Sequence, residues 1–219
     1  KDSIEIKIEK KNVEDVFYKI SNQSNYNLYT SPFYLYKTDT VYCYSSFRNK
    51  KSKIESACFL KFNKKRSISL ETSFSNQYDA GGKDALVDGL RGPNNYLTGR
   101  WQGFYGEDFE SIVDLGSKEP VTYLNIGAIQ DVKSWIWLPK QVEYLASVDG
   151  VNYKSLAKVI HHISDNTSES LIHQFELKLS KSIKAKYIKI KASNYGKCPS
   201  WHLGSGGTSW LFFDEITIL

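Results

Sequence analysis

Residues 134–156 read SWIWLPKQVEYLASVDGVNYKSL. From Val142 to Ser147 apolar and polar side chains alternate, the period-2 signature of a strand with one buried and one wet face. Asp149-Gly150 follows, a dipeptide that closes a tight hairpin because glycine takes positive φ without strain. The residues after it predict the returning strand. Working outward, Lys186–Ala192 (KYIKIKA) alternates too, with Tyr187, Ile188 and Ile190 supplying the apolar share. Ile112–Leu115 reads as a buried strand edge and Phe212–Leu219 as a further alternating strand. In the other direction, Ser3–Glu9 sets Ile4, Ile6 and Ile8 against Glu5, Lys7 and Glu9. Val16–Ile20, Phe33–Tyr36, Thr40–Phe47 and Ile54–Phe62 follow at short spacing, separated by polar turns such as Ser21–Asn27. No segment of 12 residues holds a 3.6-residue apolar period. The pattern predicts an all-β chain of two domains: a small β-sandwich over residues 1–65, then a β jelly roll of about eight antiparallel strands over residues 66–219. The charged stretch Lys61–Arg66 (KFNKKR) marks the boundary.

Of the 219 residues, 41% are hydrophobic and 24% charged, a balance that can bury a core. The aromatic share is 14%, with 15 Tyr, 11 Phe and 5 Trp. Such rings suit pleated sheets and equally suit sugar-binding surfaces. The net charge of +5 is uneven: residues 1–65 hold 13 Lys and Arg against 7 Asp and Glu, residues 66–219 hold 16 against 17. The aromatic-rich second part therefore lacks the basic stripe a nucleic-acid reader needs, and no nucleic-acid partner is expected. The pairs Lys10-Lys11, Lys50-Lys51 and Lys64-Lys65 read as solvated faces and turns. No apolar run approaches the roughly 18 residues of a membrane span. The chain starts at Lys1 without a leader, as expected of a processed piece of a longer protein. Cys43, Cys58 and Cys198 form no disulfide framework and no zinc spacing. Cys43 and Cys58 face each other across a hairpin turning at Arg48–Lys53, or else all three are small buried thiols.

Residues 17–60, FYKISNQSNYNLYTSPFYLYKTDTVYCYSSFRNKKSKIESACFL, resemble the small fibronectin/immunoglobulin-like β-sandwich module that follows the catalytic barrel in chitobiases and β-hexosaminidases. Tyr29, Ser31-Pro32-Phe33, Thr38 and Thr40-Val41 match its pattern; Ser21-Asn22-Gln23-Ser24 stands where the module has a DGS turn. The implied role is a spacer. Residues 66–219 resemble a discoidin (F5/8 type C), galactose-binding-like domain. The resemblance is carried, in order, by YDAGGKDALVDGLRG from Tyr78, GRWQGFYGEDFESIVDLG, the P-x-x-V-E-Y-x-x-S-x-D-G run through Gly150, AKYIKIKAS, and FFDEITIL. With NYGKCPSWHLGSGGTSWLFFDEI it is similar to the version appended to family 20 glycoside hydrolases of Bacteroidetes. The resemblance implies a non-catalytic carbohydrate-binding accessory region of a β-N-acetylhexosaminidase or chitobiase. Such a protein would be secreted, periplasmic or on the surface of a Gram-negative bacterium. Its implied partners are the catalytic domain of the parent chain and a glycan containing β-linked N-acetylhexosamine or galactose. The alternative is a purely structural spacer.

Asp214-Glu215 resembles the Asp-Glu pair of family 20 enzymes, but the two residues sit in an alternating strand, where neighbours point to opposite faces and cannot converge on one bond. A (β/α)₈ barrel would need about 250 residues. The fragment is therefore not expected to be an enzyme. No nucleophile elbow, cysteine-protease signature or nucleotide loop is present. For Glu215 the resemblance implies a different role, ligation of a structural Ca²⁺ together with Asp88 of the A-x-x-D-G run and loop carbonyls. Ca²⁺ takes about 6–8 hard oxygens, and the glycine-rich loop 86–93 can supply some of them. The plainer reading is that Asp88 caps its own turn and Glu215 is solvated.

Sugar sites combine an aromatic platform with planar polar groups. Gly99–Gly106, Gln130–Pro139 and Tyr195–Thr208 are the candidate loops, and Trp135, Trp201, His202, Gln102 and Tyr105 the candidate contacts. Trp101 and Trp210 read as core. Trp135 and Trp137 share one side of an entering strand, so one of the two is expected to be buried. Trp201 and His202 lie in a Gly/Ser/Pro loop with no apolar period, the pattern of exposed residues. His161 and His162 read as surface. No apolar spike of the kind lipid-binding discoidin domains carry at their loop tips is evident.

Overall fold

The computed structural model describes residues 3–10, 15–48, 50–59, 61 and 66–219, with the backbone alone at Cys58. Most of the charged boundary stretch KFNKKR falls outside the described residues. The chain divides into two compact units, Lys1–Phe62 and Asn63–Leu219. Among the described residues every regular element longer than a single 3-10 turn is a strand.

In the first unit β1 (Ile4–Ile6) pairs with β4 (Phe33–Leu35) as an antiparallel ribbon. β2 (Asp15–Ile20), β3 (Asn27–Leu28), β5 (Asp39–Phe47), β6 (Lys50–Lys51) and β7 (Glu55–Phe59) form an antiparallel sheet around β2 and β5. Ile6 and Leu35 of the ribbon share a core with Val41, Tyr18, Ile20 and Phe59 of the sheet. The β5–β7 register sets Glu55 opposite Cys43 and Thr40 opposite Cys58. The two cysteines are thus not cross-strand partners, and Cys43 carries a free thiol.

The second unit contains β8 (Ser67–Leu70), β9 (Gln102–Tyr105), β10 (Phe109–Gln130), β11 (Gln141–Ser147), β12 (Lys154–Ile160), β13 (Leu171–Gln174), β14 (Leu177–Ala192) and β15 (Trp210–Ile218). The order is β12-β11-β14-β10-β15-β9, all antiparallel, with β8 and β13 also on β10. The long strand β10 serves both layers of the jelly roll: β14 pairs along it from Phe109 to Leu124, β8 pairs at Ser111–Asp114, and its far end takes β15 and β13. Gly116 (φ 80) and a register shift between Asp114 and Glu119 mark where it bends. Alternation along the strands decides the core. Val113, Leu115, Val142, Tyr144, Ile188, Ile190, Leu211 and Phe213 turn inward and are fully buried. As the D-G dipeptide requires, Gly150 turns at φ 77, and Asp149 Oδ1 accepts the Val151 and Asn152 amides at 2.9 and 2.8 Å.

On the outer side of the β15 layer lies a second cluster of Trp101, Ile129, Ile136 and Phe212, with Tyr78, Tyr96, Ile172 and Trp210 packed against it. Trp101 is core, as the discoidin resemblance implied; Trp210, also expected in the core, is only half-buried. The loop from residue 76 to 101 lies over this face, and a β-bulge fixes it there. Between β10 and β15 the register runs Leu124↔Ile218, Asn125↔Thr217 and Ile126↔Ile216, then resumes at Ala128↔Phe213. One residue, Gly127, thus faces two, Asp214 and Glu215. The extra residue breaks the period of two. Asp214 and Glu215 therefore do not diverge as strict alternation predicts: Asp214 Oδ2 accepts from Gly92 N (3.1 Å) and Glu215 Oε2 from Gly89 N (3.0 Å), both in the same loop. Neither carboxyl is solvated.

A Cβ on Gly127 would overlap Asp214 Oδ1 and crowd Gln174 Nε2. Asp214 is buried and hydrogen-bonded, so it cannot swing aside cheaply. Gly127→Ala is therefore expected to lower stability by about 1–3 kcal/mol, as overpacking of a tight site does, read as a shift in denaturation midpoint. A variant as stable as the parent would show that this close approach does not hold the loop.

Candidate functional site

Segments 106–108, 131–140, 161–170 and 193–209 meet at one end of the second unit. Asn194 N donates to Asp108 Oδ1 (2.7 Å) and its Nδ2 to Glu107 O (3.1 Å). Lys140 N donates to Ser193 O (2.9 Å). Trp137 Nε1 donates to Asp165 O (2.9 Å), and the Tyr195 hydroxyl to Asp165 Oδ2 (2.5 Å). Burial, with the Asp165 hydrogen bond second, pushes the Tyr195 phenol up to about 12, so it remains a donor.

Trp135 and Trp137 do not share a side. The 3-10 turn Val132–Ser134 ends on Trp135 at φ 65, where Trp135 N donates to Val132 O (3.0 Å) and Trp135 O accepts from Trp210 N (2.9 Å). This left-handed residue turns the first indole outward. Trp137 goes inward, fully buried and stacked on Tyr195 at 5.0 Å with 16° between planes. The Trp135 ring lies against Gly204 and Gly207, either of whose missing side chains would collide with it. It remains 36% exposed, and Trp201, in the loop of those two glycines, is 47% exposed.

His202 is not exposed, against expectation. Its Nε2 lies 2.8 Å from Val132 O and its Nδ1 accepts from Gly204 N (3.0 Å), so the assigned tautomer carries the proton on Nε2. The ring stands edge-on to Trp135, Trp137 and Trp201 at 5.0–6.1 Å. It is a post that joins two loops. Gln102 is also inaccessible: fully buried, it donates through Nε2 to Asp79 O (3.1 Å) and Gly82 O (2.9 Å), shaping the first long loop. Tyr105 is 52% exposed and leans on Trp210 at 4.7 Å. An apolar tip exists after all, because Leu203, next to His202, is fully exposed. His161 is half-buried, its ring 5.8 Å from those of His173 and Phe175; only His162 is at the surface.

Asp88 precedes Gly89 in the loop that Glu215 holds, near enough for its charge to act on the Glu215 carboxyl. Glu215 Oε1 is buried without a partner. Burial, then the charges of Asp88 and Asp214, push its carboxyl up to about 9. Asp88, at the loop surface, accepts from Leu90 N (2.7 Å) through Oδ1, and partial desolvation raises it. Burial also raises Asp214, against which the Arg91 guanidinium acts; Arg91 itself donates to Gln174 Oε1 (2.6 Å) and Thr217 Oγ1 (3.0 Å). Among the described residues no group of three or more His, Cys, Asp and Glu side chains is placed to hold a metal. A cation here would take the free Oε1 of Glu215, the Asp88 carboxylate and backbone carbonyls. That donor set is all oxygen, the chemistry a hard ion accepts.

Sequence reading missed Tyr195 and Asp165, which brace the apical loops, and the aromatic neighbours Tyr78 and Tyr96. The Gly and Ser of residues 203–209 marked a loop without showing that two glycines form the floor under Trp135.

A family model described as F5/8 type C domain matches residues 69–211. No curated protein matches the chain. Among solved structures, the chain is similar to CBM32-1 from a family 31 glycoside hydrolase of Clostridium perfringens, at 16% identity over 71% of this chain and 94% of that one, TM-score 0.46. It is similar to the family 32 carbohydrate-binding module of Clostridium perfringens NanJ, solved in complex with galactose, at 15% identity over 70% and 93%, TM-score 0.43. A fucolectin from striped bass (Morone saxatilis) serum matches at 14% identity over 70% of this chain and 46% of that one, TM-score 0.48. By the match over residues 69–211, more than half its length, the chain belongs to the F5/8 type C domain family.

Proposed function

We propose that the chain is a non-catalytic carbohydrate-binding accessory region of a secreted glycoside hydrolase, with its glycan site on the apical loops around Trp135 and Trp201. The observation that carries this reading is the pair of open indoles on a braced floor. Trp135 rests on Gly204 and Gly207, His202 locks both loops, and Trp137 with Tyr195 supports them from below. Rings held this way lose little freedom when a pyranose face packs on them. The parent is a β-N-acetylhexosaminidase or chitobiase of a Gram-negative cell surface, with the first unit as its spacer and N-acetylhexosamine or galactose as the sugar. Both carboxyls that resemble a catalytic pair are buried and hold a loop, which supports the absence of hydrolysis.

Trp201→Ala should leave the melting temperature nearly unchanged while weakening glycan binding by about 1–3 kcal/mol, the contact area of a ring. Thermal melts and titrations on a glycan array read both quantities. A variant that melts early, in a protein that binds no sugar, would leave the structural-spacer reading standing. Binding to lipid vesicles through Trp201 and Leu203 in place of sugar would sink the proposal.

The same loop that Glu215 holds is the proposed Ca²⁺ site, with Asp88, Glu215 and loop carbonyls as ligands and fold stabilisation as its role. An ion bound only by the folded state raises its stability. Added Ca²⁺ should raise the melting temperature of chelated protein. Glu215→Gln, which keeps the shape and the Gly89 bond, should fold but lose that rise. An equal response in both proteins removes Glu215 from the site.

A further inference from the structure

We infer that four aromatic rings, Tyr105, Trp210, Tyr78 and Tyr96, form a rail that carries an extended, neutral oligosaccharide away from the apical site. The second unit would then read several consecutive residues of a β-linked chain instead of a terminal sugar alone. This rests on the glycan reading of the apical loops.

The rail is a product of the β9–β15 pairing. Tyr105 lies opposite Trp210 in the register, and the two rings meet at 4.7 Å with 48° between planes. Trp210 meets Tyr78 at 5.4 Å and 88°, and Tyr78 meets Tyr96 at 6.0 Å and 67°. Tyr78 can lie down on the sheet because Gly103 has no side chain; a Cβ there would come within 2.9 Å of Tyr78 Cβ. Tyr96 enters from a 3-10 turn whose Asn95 side chain accepts from Leu97 N (3.0 Å) and which Gly99 ends at φ 72. Phe212, buried beneath, touches both Tyr78 and Tyr96. Each ring is thus fixed by its neighbours and by the sheet, yet only partly covered.

Two further observations favour a sugar chain as the occupant. The rail begins beside the apical loops, since the Trp210 backbone N donates to Trp135 O (2.9 Å). Its ring faces also carry no cation. Among the described residues no Lys or Arg lies over any of the four. In the first unit, by contrast, Lys19 sits over Tyr26 and Tyr42, and Lys51 over Tyr44. Uncapped rings and phenolic hydroxyls suit uncharged sugars, whose faces are apolar and whose edges hydrogen-bond. Successive rings are turned steeply against each other. A flat ribbon of sugars would meet only one of them face-on, so the rail fits a chain that twists between residues.

The test compares galactose and N-acetylglucosamine with their β-1,3- and β-1,4-linked tetrasaccharides, titrated against the whole chain. The tetrasaccharide of the recognised sugar should bind about tenfold more tightly than the monosaccharide, with the more twisted linkage favoured. Tyr96→Leu, which keeps an apolar contact to Phe212, should abolish most of that gain and leave monosaccharide affinity unchanged. Should Tyr96→Leu fail to fold by thermal melt, Tyr105→Ala, at an exposed ring, should reduce the gain in its place. Equal affinity for both lengths, or a gain that survives in the folded variant, overturns the rail and leaves the apical site intact. Binding of no sugar at any length overturns the glycan reading and the rail with it.

Discussion

The second unit depends on one mismatch of register: a single glycine of β10, Gly127, opposite two carboxylates of β15. Without it Asp214 and Glu215 would take opposite faces, and at least one would point into the apolar core at a large desolvation cost. The bulge turns both toward the first long loop, whose Gly89 and Gly92 amides they accept. That loop in turn lies over Trp101 and Phe212 and carries Tyr78 and Tyr96. The outer face of the β15 layer is therefore covered, and its open aromatic edge is set, by two hydrogen bonds that a regular strand could not make.

Regular alternation was legible in the sequence, and so was the fold class. Strands such as Val142–Ser147 declare their buried face by period alone, and Trp101 read as core through its resemblance to the discoidin Trp that ends the first loop. The bulge was not legible, because it is a property of a pair: nothing near Phe212–Leu219 announces that its partner strand has one residue fewer. The loop residues were harder still. Gln102 and His202 have the composition of surface polar groups, yet each satisfies buried loop backbone, and only the folded positions of Asp79, Gly82 and Val132 reveal those partners. Leu203 shows the converse, an apolar side chain left in water where no period could predict its direction.

The apical end divides its aromatic side chains into two kinds. Trp137, Tyr195 and His202 are tied by hydrogen bonds to Asp165 and to Val132, and they brace the loops. Trp135 and Trp201 stand on that frame with one side open. The segments presenting them are anchored to each other at several points, which makes these loops stiffer than free connections. The glycines beneath Trp135 serve the same end: they let the indole approach the backbone so closely that its tilt has little freedom.

The strand that completes the sheet comes late in the sequence. β15 pairs with β9 and with the distal half of β10, and the loop it secures lies 126 residues upstream of Glu215. Contacts so distant along the chain pay their loop-closure entropy before they return any stability, which makes folding slow compared with local architectures. During synthesis the aromatic face of the first long loop and the edge of β10 must wait, exposed, until β15 has emerged. A nascent chain with such an unpaired hydrophobic edge is the species most prone to aggregate, so the arrangement that makes the finished domain rigid also makes its assembly the step at which a chaperone matters most.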